Sequence, residues 1–281
     1  MNIYGEFQEK LCLFRNYLLE EERSAATIEK YGRDVLAFLS WLSDREEISK
    51  EVVVGYKQAI IGKYKTTSAN SMLAAVNGFL SFMGQDNLKV KFFKIQKKTF
   101  RDKDRELSKE EYARLIKAAG NKGNERLSLL MQSICTMGIR VSEHKFITAE
   151  ALRTGRITIV NKGRERAVFM PKELRELLLA YCKKNGIKSG AVFVTRGGRP
   201  MNRSNIWSEM KKLCETAGVD SEKVFPHNLR HLFALTYYRL EKDIVRLADI
   251  LGHSSVETTR IYTYTSTDEH AKILSKLGLI I

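Results

Sequence analysis

The feature that most constrains this sequence is a basic segment, between Lys94 and Arg105, that interrupts its helical pattern. Half of its residues are basic and follow no helical spacing: Lys94, Lys97, Lys98, Arg101, Lys103 and Arg105. Such an aperiodic charged stretch is typical of an extended linker. A chain of 281 residues is long enough to bury two separate cores. We therefore predict two domains, residues 1–93 and 107–281, joined by a linker at 94–106.

The N-terminal domain has the pattern of a four-helix unit. Apolar residues recur at helical spacing over 7–18 and 35–42, and two more helices are predicted over 49–61 and 67–82. Ser24 precedes the second of these helices as a candidate N-cap. We predict that this domain is entirely helical.

The C-terminal domain combines helices with a small amount of β-structure. Ser108 and the glutamate three residues later have the spacing of a capping box. The β-rich segments 156–160 and 165–169 are separated by Asn-Lys-Gly-Arg, which predicts a hairpin with Gly163 in its turn. Helices are predicted over 108–119, 125–137 and 171–184, and a third strand over 191–195. The predicted fold class is mainly α, with an α+β C-terminal domain that contains a small antiparallel sheet.

The charge of the chain favours a polyanionic partner. Its 48 basic and 33 acidic residues give a net charge of +15 and a pI near 9.6, which favours nucleic acid. The sequence has neither an apolar run long enough for a bilayer nor a secretory signal, so we expect a cytoplasmic, nucleoid-associated protein without membrane contact. Its widely spaced cysteines are interpreted as reduced thiols and not as metal ligands: Cys12, Cys135, Cys182 and Cys214.

The sequence Pro-His-Asn-Leu-Arg-His places three basic side chains in the first turns of a predicted helix. His227, Arg230 and His231 occupy positions i, i+3 and i+4, which share one helix face. Taken alone, this spacing is typical of an ordinary helix surface.

A second motif, Leu-Gly-His, follows an apolar helical stretch. Gly252 is a natural helix stop, so His253 is expected at the break, before a short helix predicted over 255–264. Tyr262 and Tyr264 lie in that helix and point to different faces. A phenol hydroxyl near several cationic groups is well explained if the tyrosine attacks a phosphodiester.

Two more cations lie beside breaks in regular structure. Arg140 follows Gly138 and precedes a predicted helix start, where backbone N–H groups favour phosphate oxygens. Lys162 lies at the tip of the predicted hairpin, from which it can reach a neighbouring groove. Each of these residues, taken singly, is also typical of a solvated surface.

In this order, the motifs resemble those of the tyrosine site-specific recombinases, or phage integrase family. They are Gly-Ile-Arg-Val-Ser-Glu, Asn-Lys-Gly-Arg-Glu-Arg, Pro-His-Asn-Leu-Arg-His and Leu-Gly-His, followed by a tyrosine. The resemblance reaches the N-terminal domain, where residues 24–38 are similar to a helical, SAM-like core-binding domain. It implies a catalytic domain of the DNA-breaking-rejoining fold at 107–281, with a tail at 265–281, as in compact two-domain Xer-type or mobile-element recombinases.

The resemblance also implies a catalytic set: Arg140, Lys162, His227, Arg230, His253 and Tyr262. Glu143 and His231 are implied to support this set. Tyr262 would attack a DNA phosphodiester and form a 3′-phosphotyrosyl bond without metal, ATP or another cofactor. The arginines and His253 would contact the non-bridging oxygens, and Lys162 would protonate the departing 5′ oxygen. His227 would either take the phenol proton or hold the phosphate.

The implied partner is double-stranded DNA with a specific core site, bound by a homo-tetramer on synapsed DNA. The six basic residues of the linker are expected to contact the phosphate backbone. The amphipathic tail is expected to pack either on a neighbouring protomer or on its own domain.

Two other functions remain open from the sequence. A type IB topoisomerase shares much of the catalytic set, and a sequence-specific DNA-binding protein would use the same basic surface without catalysis. The helical N-terminal domain and the tail favour a recombinase, and the complete catalytic set argues against a protein that only binds. Tyr264 is the alternative nucleophile, and Arg164 or Arg166 is the alternative to Lys162.

Overall fold

A computed structural model describes residues 3–42, 48–95, 105–161, 164–263 and 275–276. The chain divides into two compact units, Met1–Lys97 and Lys98–Ile281. Some residues named above lie outside the described residues: Lys97, Lys98, Arg101, Lys103, Lys162, Gly163, Tyr264 and the tail apart from residues 275–276. Within the described parts, no helix combines the length and apolar character needed to cross a membrane.

The first unit is built from four helices, as predicted. They are α1 (Ile3–Glu20), α2 (Ala25–Leu42), α3 (Lys50–Ile61) and α4 (Thr66–Phe82), followed by a 3-10 turn at Asp86–Leu88. Their core centres on the buried rings of Phe14, Phe38 and Phe79, which lie at the helical spacings read from the sequence. The predicted N-cap is confirmed, because Ser24 Oγ accepts the N–H of Thr27 at 3.3 Å at the start of α2.

The chain that leaves the first unit lies along α4. Asn77 both donates to the carbonyl of Val90 and accepts its N–H, at 2.9 and 3.0 Å. Asn70 makes the same pair of hydrogen bonds with Phe93, at 2.9 and 2.8 Å. The exposed Lys94 follows directly after this anchored segment.

The second unit contains eight helices and one strand pair in the part that the structure describes. The helices are α5 (Lys109–Asn121), α6 (Glu125–Met137), α7 (Ala149–Thr154), α8 (Lys172–Lys184), α9 (Arg203–Lys211), α10 (Cys214–Ala217), α11 (Pro226–Glu241) and α12 (Ile244–Leu251). Short 3-10 segments cover Val141–Phe146, Ser221–Lys223, Val256–Thr258 and Arg260–Tyr262. The capping box at the start of α5 is confirmed, with Ser108 and Glu111 as its two members.

The strand pair joins β1 (Arg156–Asn161) to β2 (Arg164–Phe169) in antiparallel register. Ile159 is buried against the core and lies opposite Arg166. Cross-strand partners project to the same face of a sheet, so Arg166 points inward while its neighbour Glu165 is exposed. The hairpin thereby places one arginine in the interior of the unit.

The predicted third strand at 191–195 is wrong. The segment forms only isolated bridges, Thr148 with Ala191 and Val194 with Pro200. The chain turns back immediately after this segment, because the N–H of Thr195 donates to the carbonyl of Arg199 at 2.8 Å. Among the described residues, the neighbouring segments pair with it only through these isolated bridges and do not form a continuous ladder. The described sheet has two strands.

Candidate active site

The C-terminal end of α12 receives three arginine side chains from distant parts of the second unit. Each of three consecutive carbonyls accepts one guanidinium N–H: Ile250 from Arg166 at 3.0 Å, Leu251 from Arg230 at 2.7 Å and Gly252 from Arg140 at 3.1 Å. The last carbonyls of a helix lack intrahelical partners and form the negative end of its dipole. They therefore stabilise three cations that would otherwise repel one another.

The carboxylate of Glu143 is buried beside these guanidiniums. Its Oε2 accepts the backbone N–H of Arg140 at 2.7 Å and lies 2.5 Å from Arg166 Nη2. Its Oε1 accepts from Arg140 Nη1 at 2.9 Å, and Arg230 Nη1 lies 4.0 Å from Oε2. Burial opposes its ionisation, yet the Arg140 N–H and the charge of Arg166 hold its pKa below the ordinary value. Glu143 therefore fixes the spacing of the arginines.

Two glycines make this convergence possible. Gly138 ends α6 with φ of 62°, and its carbonyl accepts from Arg230 Nη1 at 2.8 Å; a Cβ there would lie 2.3 Å from the ring of Phe233. Gly252 ends α12 with the same φ of 62°, and a Cβ there would lie 2.5 Å from Arg166 Nε. Both positions need the left-handed backbone and the missing side chain. The helix stops predicted at these glycines are confirmed.

Arg230 is the most enclosed cation of the site. It lies in the second turn of α11, with a side-chain exposure of 3%. Burial lowers the pKa of its guanidinium to about 10, and the nearby charge of Arg140 adds to this effect while Glu143 opposes it. The group stays charged at neutral pH but is almost completely removed from solvent. A bound anion would therefore be strongly stabilised there.

His253 lies directly after the break at the end of α12 and is half-buried. Its Nε2 is 3.1 Å from Arg230 Nη2, and its Nδ1 is 2.8 Å from Thr259 Oγ1. Burial lowers its pKa to about 4, and the charges of Arg230 and Arg140 add to this effect. The imidazole is therefore neutral at physiological pH in the protein without DNA.

Tyr262 is buried, with 3% of its surface exposed. It packs in a small apolar cluster that includes Leu235, Leu247 and Leu251, and its ring centroid lies 5.0 Å from that of His231. Burial raises the pKa of the phenol, although Arg230 and Arg140 act in the opposite direction. The cationic groups predicted near this phenol are present, but burial outweighs their effect on its pKa. The phenol is therefore protonated at neutral pH.

The segment that carries Tyr262 differs from the single short helix predicted over 255–264. It forms two 3-10 turns, Val256–Thr258 and Arg260–Tyr262. Because a 3-10 turn has three residues, Thr259 and Tyr262 lie one turn apart, and the N–H of Tyr262 donates to the carbonyl of Thr259 at 3.0 Å.

The two histidines of α11 flank this centre. His227 is exposed in the first turn, yet partial desolvation lowers its pKa, and the charges of His231 and Arg230 add to this effect. Arg203 and Arg140 contribute in the same direction. His231 lies with its Nε2 3.4 Å from Glu106 Oε1 and its ring against Tyr262. His227 is thus a neutral group near the arginines, and His231 is in contact with the tyrosine.

The structure brings most of the predicted site residues together, while two residues that share the site were missed. Lys162 lies outside the described residues; of the linker residues, Lys94 and Arg105 are described and are exposed. Arg166 appeared in the sequence only as a substitute for Lys162, although its place in β2 opposite a buried residue indicates an inward direction. Thr259 carried no signal beyond lying three residues before Tyr262.

Comparisons with known proteins cover both units. The model of the phage integrase family matches residues 105–269, and that of the phage integrase N-terminal SAM-like domain matches residues 11–86. The chain is similar to tyrosine recombinase XerD of Vibrio vulnificus, with 25% identity over 277 residues, 92% of this chain and 91% of that protein. It is 28% identical over 284 residues to tyrosine recombinase XerA of Thermococcus kodakarensis, covering 98% of both chains. A lambda integrase tetramer bound to a Holliday junction has a similar fold, with a TM-score of 0.72 and 16% identity over 90% of this chain and 76% of that chain.

Proposed function

The chain belongs to the phage integrase family and is a tyrosine recombinase, and we propose that Tyr262 cleaves and rejoins DNA strands at the centre formed by the three arginines and His253. The observation that carries this assignment is the convergence of three guanidiniums on the last carbonyls of α12, in the segment that leads to Tyr262. A site with this charge suits an anionic substrate, and a phosphodiester is the anion that DNA supplies.

The arginines are the groups that neutralise the reacting phosphate. Each guanidinium has five N–H donors, of which some anchor Arg140 and Arg230 to backbone carbonyls. The remaining donors are held in fixed directions and meet the non-bridging oxygens as negative charge develops in the transition state. Because this anchoring exists before DNA binds, the site needs little rearrangement during the reaction.

The chemical step exchanges one phosphoester for another. The phenol oxygen of Tyr262 forms a bond to phosphorus as the bond to the 5′ oxygen breaks, which leaves a 3′-phosphotyrosyl enzyme and a free 5′-hydroxyl. The phenol proton passes to a base, for which the neutral His227 is the candidate, and Lys162 gives a proton to the 5′ oxygen. Since the new bond keeps the phosphoester energy, another strand's hydroxyl can reverse the attack without ATP.

The guanidiniums supply the positive charge that a metal ion supplies in many phosphoryl-transfer enzymes. We therefore propose that cleavage requires no metal. The supporting observation is that the charges of Arg140 and Arg230 act to lower the pKa of both His253 and Tyr262.

DNA binding is proposed to involve both units. The SAM-like unit and the basic residues of the linker, of which Lys94 and Arg105 are described and exposed, are the proposed contacts outside the active site. The side chain of Asn228, between His227 and Arg230, donates to the carbonyl of Arg105 at 2.8 Å and so anchors the linker end to α11. We further propose a homo-tetramer on two synapsed DNA sites, because a lambda integrase with a similar fold forms a tetramer on a Holliday junction.

Trapping a covalent adduct tests the proposed activity. On a nicked suicide duplex, where the cleaved fragment diffuses away, the protein is expected to form an adduct that survives denaturation, both in EDTA and with Mg²⁺. Adduct formation only with Mg²⁺ would contradict the metal-free reaction, and DNA binding without any adduct would favour the non-catalytic alternative. Supercoil relaxation of plasmids without a defined site would favour the topoisomerase alternative.

Replacing Lys162 by Ala is expected to slow strand cleavage by about 100-fold or more, because a 5′ alkoxide is a poor leaving group without a proton donor. A 5′-phosphorothiolate at the scissile position should restore most of the rate, since a thiolate leaves without protonation. Single-turnover cleavage measures both values. A His227→Ala variant is the matched control, because its defect should persist on the modified DNA. Equal slowing of Lys162→Ala on both substrates would assign the proton donor elsewhere.

A further inference from the structure

Thr259 contacts both His253 and Tyr262 from a fully buried position. Its exposed surface is 0%, its Oγ1 lies 2.8 Å from His253 Nδ1, and its carbonyl accepts the N–H of Tyr262 at 3.0 Å. A buried hydroxyl is expected to have a hydrogen-bond partner. Here the partner of the hydroxyl is the imidazole of His253, which belongs to the proposed catalytic set. The carbonyl of Thr259 also holds the backbone of Tyr262, the proposed nucleophile.

The contacts of His253 fix the position of its proton in the protein without DNA. A guanidinium has only N–H donors, so Arg230 Nη2, 3.1 Å from Nε2, requires an unprotonated Nε2. The neutral ring then carries its proton on Nδ1, which donates to Thr259 Oγ1. Nε2 therefore cannot donate to a phosphate oxygen until it gains a proton.

The charges around His253 explain why DNA would change this state. The ring faces Arg230 and His227 of α11, Arg140 before the 3-10 segment and Arg166 of β2, and together with burial these groups favour the neutral ring. A phosphate placed among the same cations adds negative charge beside Nε2 and favours the imidazolium. In both states Nδ1 keeps its proton and needs the same acceptor.

We propose that Thr259 is a positioning residue for strand cleavage, whose hydroxyl holds Nδ1 of His253. When DNA binds, Nε2 of His253 takes one proton from solvent. Nε2 then no longer accepts a hydrogen bond from Arg230 and donates one to the scissile phosphate. This inference rests on the proposed function and specifies how His253 is prepared for it. Thr259 acts through His253 and does not itself touch the DNA. Its carbonyl holds the backbone of Tyr262 one 3-10 turn further along the chain.

Two substitutions separate the hydroxyl of Thr259 from its volume. Thr259→Val keeps the shape and removes the acceptor, and Thr259→Ser keeps the acceptor. In single-turnover cleavage of the suicide duplex, we expect Thr259→Val to be about 10- to 100-fold slower and Thr259→Ser to stay within about 3-fold of the unmodified protein. Thr259→Ala supplies a second variant without a hydroxyl if Thr259→Val folds poorly. DNA affinity and melting temperature are measured for each variant.

The pH profile of cleavage gives a readout that a purely structural role would not change. The hydrogen bond from Nδ1 to Thr259 stabilises the imidazolium, so its loss makes protonation of the DNA-bound ring harder. The decline of the rate at high pH should therefore begin at a lower pH in Thr259→Val than in the unmodified protein or in Thr259→Ser.

Three results would overturn the inference: unchanged cleavage by both variants without the hydroxyl, equally slow cleavage by Thr259→Ser, or a loss of rate that DNA affinity or melting fully accounts for. A failure of the proposed function is distinguishable from all three, because the unmodified protein would then form no adduct.

Discussion

Tyr262→Phe is expected to abolish the covalent protein–DNA adduct, with a loss of at least about 10⁴-fold in strand cleavage, because no other group replaces the attacking oxygen. The ring should still fill its place in the apolar cluster with Leu235, Leu247 and Leu251, so the fold is expected to persist. Binding to duplex DNA should change little, since removing one buried hydroxyl leaves the cationic surface intact. Adduct formation on a suicide duplex and a binding assay with the same DNA measure the two effects.

Tyr264→Phe is the matched control, because it removes the same hydroxyl two residues away in the sequence. It should form the adduct at nearly the rate of the unmodified protein. If the adduct persisted in Tyr262→Phe and disappeared in Tyr264→Phe, the nucleophile would be Tyr264. Loss of DNA binding in Tyr262→Phe would show instead that the hydroxyl supports the fold.

The local structure of this chain could be predicted from the sequence where it depends on periodicity or on glycine. The four helices of the first unit, the hairpin and the breaks at Gly138 and Gly252 follow from spacing and backbone preference. The third strand at 191–195 was wrong because its composition suits a strand, but in the described structure it pairs with neighbouring segments only through isolated bridges.

The assembly of the site depends on contacts that no local pattern records. Arg166 and Arg140 reach the end of α12 across 84 and 112 residues of sequence. Family resemblance supplied the identities of most groups, but not the three consecutive carbonyls that hold the arginines. Burial of Tyr262 also has no local signal, because it depends on how α11, α12 and the 3-10 turns pack together.

Arg230→Lys is expected to reduce strand cleavage by about 1,000-fold or more, although it keeps the positive charge. The guanidinium of Arg230 holds the carbonyls of Gly138 and Leu251 at 2.8 and 2.7 Å and also faces His253 at 3.1 Å. An ammonium group is a compact charge without this planar fork, so it cannot hold both carbonyls and a phosphate in the same geometry. Single-turnover cleavage, DNA affinity and melting temperature should be measured together, because the contacts of Arg230 also support the fold.

Arg246→Lys is the control for the substitution itself, since Arg246 is exposed on α12. It should leave cleavage within about 2-fold of the unmodified protein, because an exposed arginine contributes little to the stability of the fold. Arg230→Ala, by contrast, should also destabilise the fold by about 3–5 kcal/mol, because it leaves the carbonyls of Gly138 and Leu251 without the guanidinium that they accept from. Cleavage by a folded Arg230→Lys protein within about 10-fold of normal would contradict a role in the transition state.

A change in the DNA determines whether Arg230 acts on the charge of the phosphate. A methylphosphonate at the scissile position removes one negatively charged non-bridging oxygen, so the transition state needs less positive charge around it. If Arg230 neutralises that oxygen, Arg230→Ala should lose much less activity on the methylphosphonate than on the phosphodiester. If Arg230 only holds Gly138 and Leu251 in place, the loss should be the same on both substrates, because those carbonyls are displaced whichever DNA is bound. The ratio of the two losses therefore separates neutralisation of the phosphate from support of the turn that carries His253.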